Sequence, residues 1–159
     1  MFTKFRFNFI YTIILITITS TSFGETLKFK NLVIRDFWIK PSIGNHKITS
    51  GYLIIQNNSN LDERLISATS NFSKKTELHQ MEVKNDIMMM KKLVRGLIIR
   101  AKSKTELKPR GYHLMFINLN SPIKIKNSYK VNLFFEHSGS FTFNMPVLDK
   151  NLKDDGHKH

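Results

Sequence analysis

Three short segments of this chain carry histidine and methionine in alternating positions. His79 and Met81 are two residues apart, as are Met88 and Met90 and, further on, His113 and Met115. In an extended strand residues i and i+2 point to one face. Each segment would therefore present two ligand-type side chains together, with Leu78 and Gln80, or Leu114 and Phe116, turned the other way. Thioether sulfur is soft and suits Cu(I), while neutral imidazole binds copper in either oxidation state. Zinc prefers Cys, His or carboxylate. A thioether also escapes the disulfide chemistry that a thiol risks in an oxidising compartment. By spacing, His79, Met90, His113 and Met115 stand out, with Met81 and Met88 close to the first two.

Bringing the first two segments together needs a hairpin between Thr76 to Val83 and Ile87 to Leu93, and two registers are open to it. A turn centred between Lys84 and Asn85 sets His79 opposite Met90 and Met81 opposite Met88. A turn centred on Asn85-Asp86 sets Met81 opposite Met90 and His79 opposite Lys92. Directly opposed residues lie within about 5.5 Å at Cβ, close enough to share an ion. Taken singly, each of these side chains is as readily a core filler or a surface residue. The recurrence of the same array in three segments is what points to a soft-metal site.

The surrounding elements read as β. Leu27 to Ile34 begins by alternating apolar and polar residues, and Gly51 to Gln56 is a short apolar run ended by Asn57-Asn58-Ser59-Asn60. Further strands are expected at Arg64 to Ser67, Leu97 to Ala101, Thr105 to Lys108, Tyr112 to Asn118, Tyr129 to Phe135 and Ser140 to Met145. Pro41, Pro109, Gly111 and Pro122 fall between them. Such a series, with no helical stretch to make crossovers, predicts an all-β fold, an antiparallel Greek-key sandwich or barrel. Trp38 and the phenylalanines after Gly24 are expected in the core.

Ahead of this domain, Lys4 and Arg6 precede an apolar run from Phe9 to Ile18, which is shorter than the ~18 residues a membrane span needs. Small and polar residues follow from Thr19 to Gly24. Residues 1–24 are expected to be a signal peptide cleaved after Gly24, or else an uncleaved anchor; either leaves the rest in an extracytoplasmic space, the periplasm. The mature part, 25–148 with a polar tail from Asp149 to His159, suits a single domain. No cysteine occurs in the sequence, which excludes a thiolate metal site and leaves stability to the apolar core. Without Lys4 and Arg6, 23 basic residues face 12 acidic ones. Such a field can steer the chain toward an acidic partner or an anionic membrane face, although the lysines are spread along the chain rather than gathered in one run. Nucleic-acid binding is not expected, given the export signal and the lack of a recognisable finger, helix-turn-helix or RNA-binding pattern.

At its histidines and methionines the chain resembles the PCuAC family of periplasmic copper chaperones, whose hallmark is a His, a Met eleven residues on, and a later His-x-Met. Here these are His79, Met90 and His113-Leu114-Met115. Gly51-Tyr52-Leu53, Glu77-Leu78-His79 and Pro109-Arg110-Gly111-Tyr112 agree with the family's surrounding words, and Trp38 falls where the family usually has a tryptophan. The similarity covers roughly Asp36 to Val147. It implies a cupredoxin-like β-sandwich or barrel with one Cu(I) held by His79, Met90, His113 and Met115. It further implies delivery of copper to cytochrome c oxidase, and the acceptor is expected to be membrane-associated, the copper-site subunit of that oxidase or another copper-handling protein, with the chain itself a monomer. Met81 and Met88 have no ligand role in that pattern and would form a soft rim. Arg110 stands where relatives usually have a small residue before Gly111, so the loop there is expected to differ.

Other function classes fare less well. A blue-copper electron carrier needs a Cys thiolate, which is absent. No nucleophile, base and orienting group can be recognised around these histidines, so an enzyme is not expected. A copper-free structural or interaction domain is the remaining alternative. The tail brings His157 and His159 near Asp154 and Asp155, a harder set suited to accessory Cu(II) or Zn(II) capture.

Overall fold

The computed structural model describes residues 25–84 and 87–150. The expected signal peptide and residues 151–159, with His157 and His159, lie outside the described residues. The strands are β1 (Thr26–Phe29), β2 (Leu32–Ile39), β3 (Ile48–Asn57), β4 (Glu63–Ser70), β5 (Ser73–Lys84), β6 (Ile87–Lys92), β7 (Leu97–Ile99), β8 (Ser103–Leu107), β9 (Tyr112–Leu119), β10 (Ser128–Phe135) and β11 (Gly139–Pro146). They make a seven-stranded sheet in the order β1-β2-β3-β8-β9-β5-β6 and a four-stranded sheet in the order β11-β10-β4-β7. The all-β two-sheet architecture is the one the sequence pattern predicts. Leu27 to Ile34 proves to be two strands, because the chain reverses at Lys30-Asn31, with Lys30 at φ 53°, and pairs Phe29 with Leu32.

Strict alternation gives the large sheet two different faces. Leu53, Ile55, Leu78, Leu114 and Phe116 point inward and are all at most 4% exposed, packed with Leu65, Val131, Leu133, Phe143 and Met145 of the small sheet. Burying side chains of this size contributes about 1.5–3 kcal/mol each. Their immediate neighbours along β5 and β9, His79, His113 and Met115, are thereby turned to the outer face. β3 joins these parts: residues 53–57 pair with β8, and residues 48–51 pair with β9.

In β2 a bulge changes the parity. Arg35 pairs with Ile54, but the next pair is Trp38 with Tyr52, so three steps on β2 match two on β3. The extra residue is accommodated around Asp36, at φ 51°, a left-handed conformation that aspartate tolerates better than most residues. Leu32 and Ile34 face the core before it; Phe37 and Ile39 do so after it, with Phe37 edge-on to Phe143 at 5.1 Å. Trp38 is buried as expected, but on the outer face, where its ring lies 4.6 Å from that of Tyr52.

Gly51 pairs with Ile39 and Leu114 beneath this region. A Cβ placed there would meet Phe116 Cε2 at 2.7 Å, and Phe116 is fully buried against Phe72. Gly51→Ala is accordingly expected to lower unfolding stability by about 1–3 kcal/mol through overpacking, as read from urea unfolding followed by tryptophan fluorescence.

Candidate metal centre

The register of β5 with β9 sets His79 opposite His113 and Glu77 opposite Met115. On the other side of β5, His79 faces Lys92 and Met81 faces Met90 of β6. Of the two hairpin registers open to the sequence, the structure adopts the second, with Lys84 and Ile87 as the last pair and a two-residue connection, the favoured hairpin length. Met90 is therefore one ladder step from His79 rather than directly across from it. The register of β3 with β9 ends at Gly51 opposite Leu114, the residues that adjoin Tyr52 and His113 along their strands. One row across the outer face thus reads Trp38, Tyr52, His113, His79, Lys92, with Met115 and Glu77 on one side of it and Met81 and Met90 on the other.

The two imidazoles face each other with centroids 5.8 Å apart and ring planes inclined at 52°. His113 is 4% exposed, and the His79 side chain 13%. Each ring has one nitrogen committed and one free. His113 Nδ1 lies 3.1 Å from the Gly111 carbonyl oxygen, which can only accept, so Nδ1 carries the proton and Nε2 keeps its lone pair. His79 Nε2 lies 2.7 Å from Glu77 Oε2. Hydrogen bonds from Lys75, Lys92 and His79 pull the Glu77 carboxyl down to about 2, so it too only accepts, and His79 Nδ1 keeps its lone pair. His79 Nδ1 and His113 Nε2 are both buried and have no hydrogen-bond partner among the described residues. A buried polar atom left unsatisfied costs about 1–3 kcal/mol, and a shared metal ion would satisfy both. A histidine whose second nitrogen is held by a carboxylate or a backbone carbonyl is the usual outer-shell support of a metal ligand.

The sulfurs flank this pair. Met115 is two residues from His113 on the same face, and Met90, 48% exposed, lies diagonally across from His79 within reach of a long, unbranched side chain. Among the described residues no group of three or more His, Cys, Asp or Glu could hold a metal ion. Two imidazoles and two thioethers suit a soft monovalent cation. Sequence reasoning did not assign Glu77 its part, although its position two residues before His79 on the same face was readable. It also missed the Gly111 carbonyl and Tyr52, whose hydroxyl pKa burial raises. Trp38, with the Lys150 ammonium 5.3 Å from its ring centroid, and Tyr52 close the end of the row.

His113 has its pKa lowered from 6.5, chiefly by burial and further by the neighbouring His79, against the opposing pull of the Gly111 carbonyl. It is therefore neutral at pH 7, as a ligand must be. Since the folded pKa lies below the unfolded one, the unfolded chain binds more protons just below pH 6.5, and stability falls as pH drops through that window. Urea unfolding between pH 8 and 5 is expected to show this loss, at up to about 1.4 kcal/mol per pH unit for one proton; His113→Gln should lack this component.

A family model described as "Putative lipoprotein LpqE-like" matches residues 32–147, from the start of β2 to one residue past β11. A lipoprotein-named protein of Leifsonia xyli subsp. xyli is 25% identical over 121 residues, 76% of this chain and 72% of that one. Among solved structures, the copper-bound PCuAC domain of PmoF2 aligns with a TM-score of 0.65 at 15% identity, over 77% of this chain and 97% of that domain. The solution structure of Cu(I)-DR1885 from Deinococcus radiodurans gives 0.60 at 18% identity, over 79% and 82%. The two sheets thus share the cupredoxin-like β fold of those domains. With well over half of its length matched, the chain belongs to the LpqE-like family.

Proposed function

We propose that this protein is an exported copper metallochaperone that holds one Cu(I) on His79 Nδ1, His113 Nε2 and the thioethers of Met90 and Met115. The observation that carries the reading is the pair of facing imidazoles, His113 buried and His79 largely enclosed, each with one nitrogen tied and the other without a partner among the described residues. The similarity in fold to a copper-bound PCuAC domain and to Cu(I)-DR1885 supports it, as does the His, Met and His-x-Met spacing.

In this reading the ligands divide their labour by exposure. The two imidazoles are largely enclosed and held by Glu77 and Gly111, so they fix the position of the ion. Met90 stands on a strand whose every residue is exposed, so its thioether can leave first and admit a ligand of the acceptor. Copper passes by ligand exchange with no change of oxidation state. Residues 1–24 act as the export signal, placing the domain in the periplasm. The acceptor is a membrane-associated copper protein, the copper-site subunit of cytochrome c oxidase or another copper-handling protein, approached with the help of the chain's basic charge. The tail histidines, His157 and His159, form a separate accessory position for Cu(II).

Anaerobic Cu(I) titration against a chromophoric chelator tests the site, in the full chain carrying His157→Ala and His159→Ala so that the tail cannot compete. One tight equivalent is expected, lost when Met90 and Met115 are both changed to Ala. Absence of tight binding in the parent would overturn the proposal. Glu77→Gln, which leaves His79 in place but removes the carboxylate that fixes its tautomer, should weaken Cu(I) binding by about 10–100-fold.

A further inference from the structure

β6 is the edge strand of the large sheet, and it carries Met88, Met89 and Met90 at 53%, 51% and 48% exposure. With Met81, four of the seven methionines of the chain fall in the β5–β6 hairpin. Core filling does not account for them, because half-exposed side chains gain little from burial. The register sorts them. Met81 opposes Met90 and Val83 opposes Met88, so Met81, Met88 and Met90 share the face of His79, while Met89 points the other way. The Met81 amide donates to the Gly111 carbonyl on the β9 side at 3.2 Å. Toward β6, Met81 and Met90 are therefore a non-hydrogen-bonded pair, the kind with Cα atoms about 4.5 Å apart and side chains closest. Met88 lies two residues along from Met90 and diagonal to Met81, within reach of a flexible side chain.

The charges on this hairpin leave that face to the sulfurs. Glu82, Lys84 and Lys91 alternate onto the opposite face, and Lys92, beside His79, is committed to Glu77 Oε1 at 2.7 Å. Three neutral thioethers with no carboxylate among them suit a soft monovalent ion and offer nothing to a hard divalent one.

We propose that Met81, Met88 and Met90 form a second, all-thioether position for Cu(I) at the exposed hairpin edge, and that the ion enters and leaves the His/Met set through it. The direction of traffic rests on the proposed function of that set; the thioether position itself rests on the register. Met90 is common to both. The ion moves outward as bonds to imidazole nitrogen and to Met115 sulfur break and bonds to Met81 and Met88 sulfur form, with copper remaining Cu(I) and each imidazole released neutral.

The test uses the full chain with 13C-methyl-labelled methionine, Ag(I) as a redox-inert stand-in for NMR, and Cu(I) for transfer to a chelator. In His79→Gln/His113→Gln, Ag(I) is expected to move the methyl resonances of Met81, Met88 and Met90 while that of buried Met145 stays. In Met81→Leu/Met88→Leu, Cu(I) affinity should stay close to that of the parent while release to the chelator and uptake from it both slow by roughly tenfold, as removal of an entry and exit route requires. Unmoved Met81 and Met88 methyls in the folded His variant would overturn the inference. So would unchanged release from the Leu variant, whose substitutions fall on partly exposed side chains of similar size and which decides the matter alone if the His variant does not fold. Failure of the proposed function is read separately, from a Met115 methyl that does not move when the parent takes up its first equivalent.

Discussion

A carboxylate with 9% of its side chain exposed has to find donors, and Glu77 finds three: Lys75 at 2.8 Å, Lys92 at 2.7 Å and His79 at 2.7 Å. The two lysines are themselves half exposed, so solvent takes much of the pairing energy. What the cluster supplies is direction. An ionised Glu77 can only accept, so the His79 proton is fixed on the nitrogen that faces it and Nδ1 is left with its lone pair. The Lys92 contact also ties β6 to β5 at the level of the histidines, where β6 lacks a further strand of its own. The tautomer of one candidate ligand and the attachment of the edge strand thus follow from a single enclosed charge.

β5 and β9 serve two purposes at once. Their inward residues, Leu78, Leu114 and Phe116, anchor them in the core, and rotation or slippage of either strand would expose those side chains. The histidines inherit that rigidity through the backbone, being the alternate residues of the same strands. β6 has no such anchor, since all of its residues are exposed. The site accordingly has a stiff half made of imidazole and a yielding half made of thioether. This combination suits the binding and release of copper proposed above.

Much of this was legible in the sequence because it depends on period-two alternation. The i, i+2 spacing in three segments correctly placed His79 and Met81, Met88 and Met90, and His113 and Met115 on shared faces, with Leu78 and Leu114 opposite. Local pattern left the hairpin register open, because Ile87-Met88-Met89-Met90 is an unbroken apolar run with no alternation to choose between the two turns. The part played by Glu77 was not legible, since it depends on Lys92 arriving from another strand. Nor was the outward direction of Trp38: the apolar triplets Leu32–Ile34 and Phe37–Ile39, on either side of Arg35 and Asp36, show no alternation to say which face each residue takes.

That last point returns to the bulge at Asp36. One added residue there lets the strand offer Phe37 and Ile39 to the interior and Trp38 to the exterior, so the aromatic wall beside His113 is a product of strand length rather than of residue type alone. The surroundings of the histidines are consequently open to change by a route that leaves all four candidate ligands untouched. A one-residue gain or loss in this strand would exchange the inward and outward sides of everything beyond it, and an ancestral sheet could have acquired or lost its shelter for the imidazole pair in a single such event.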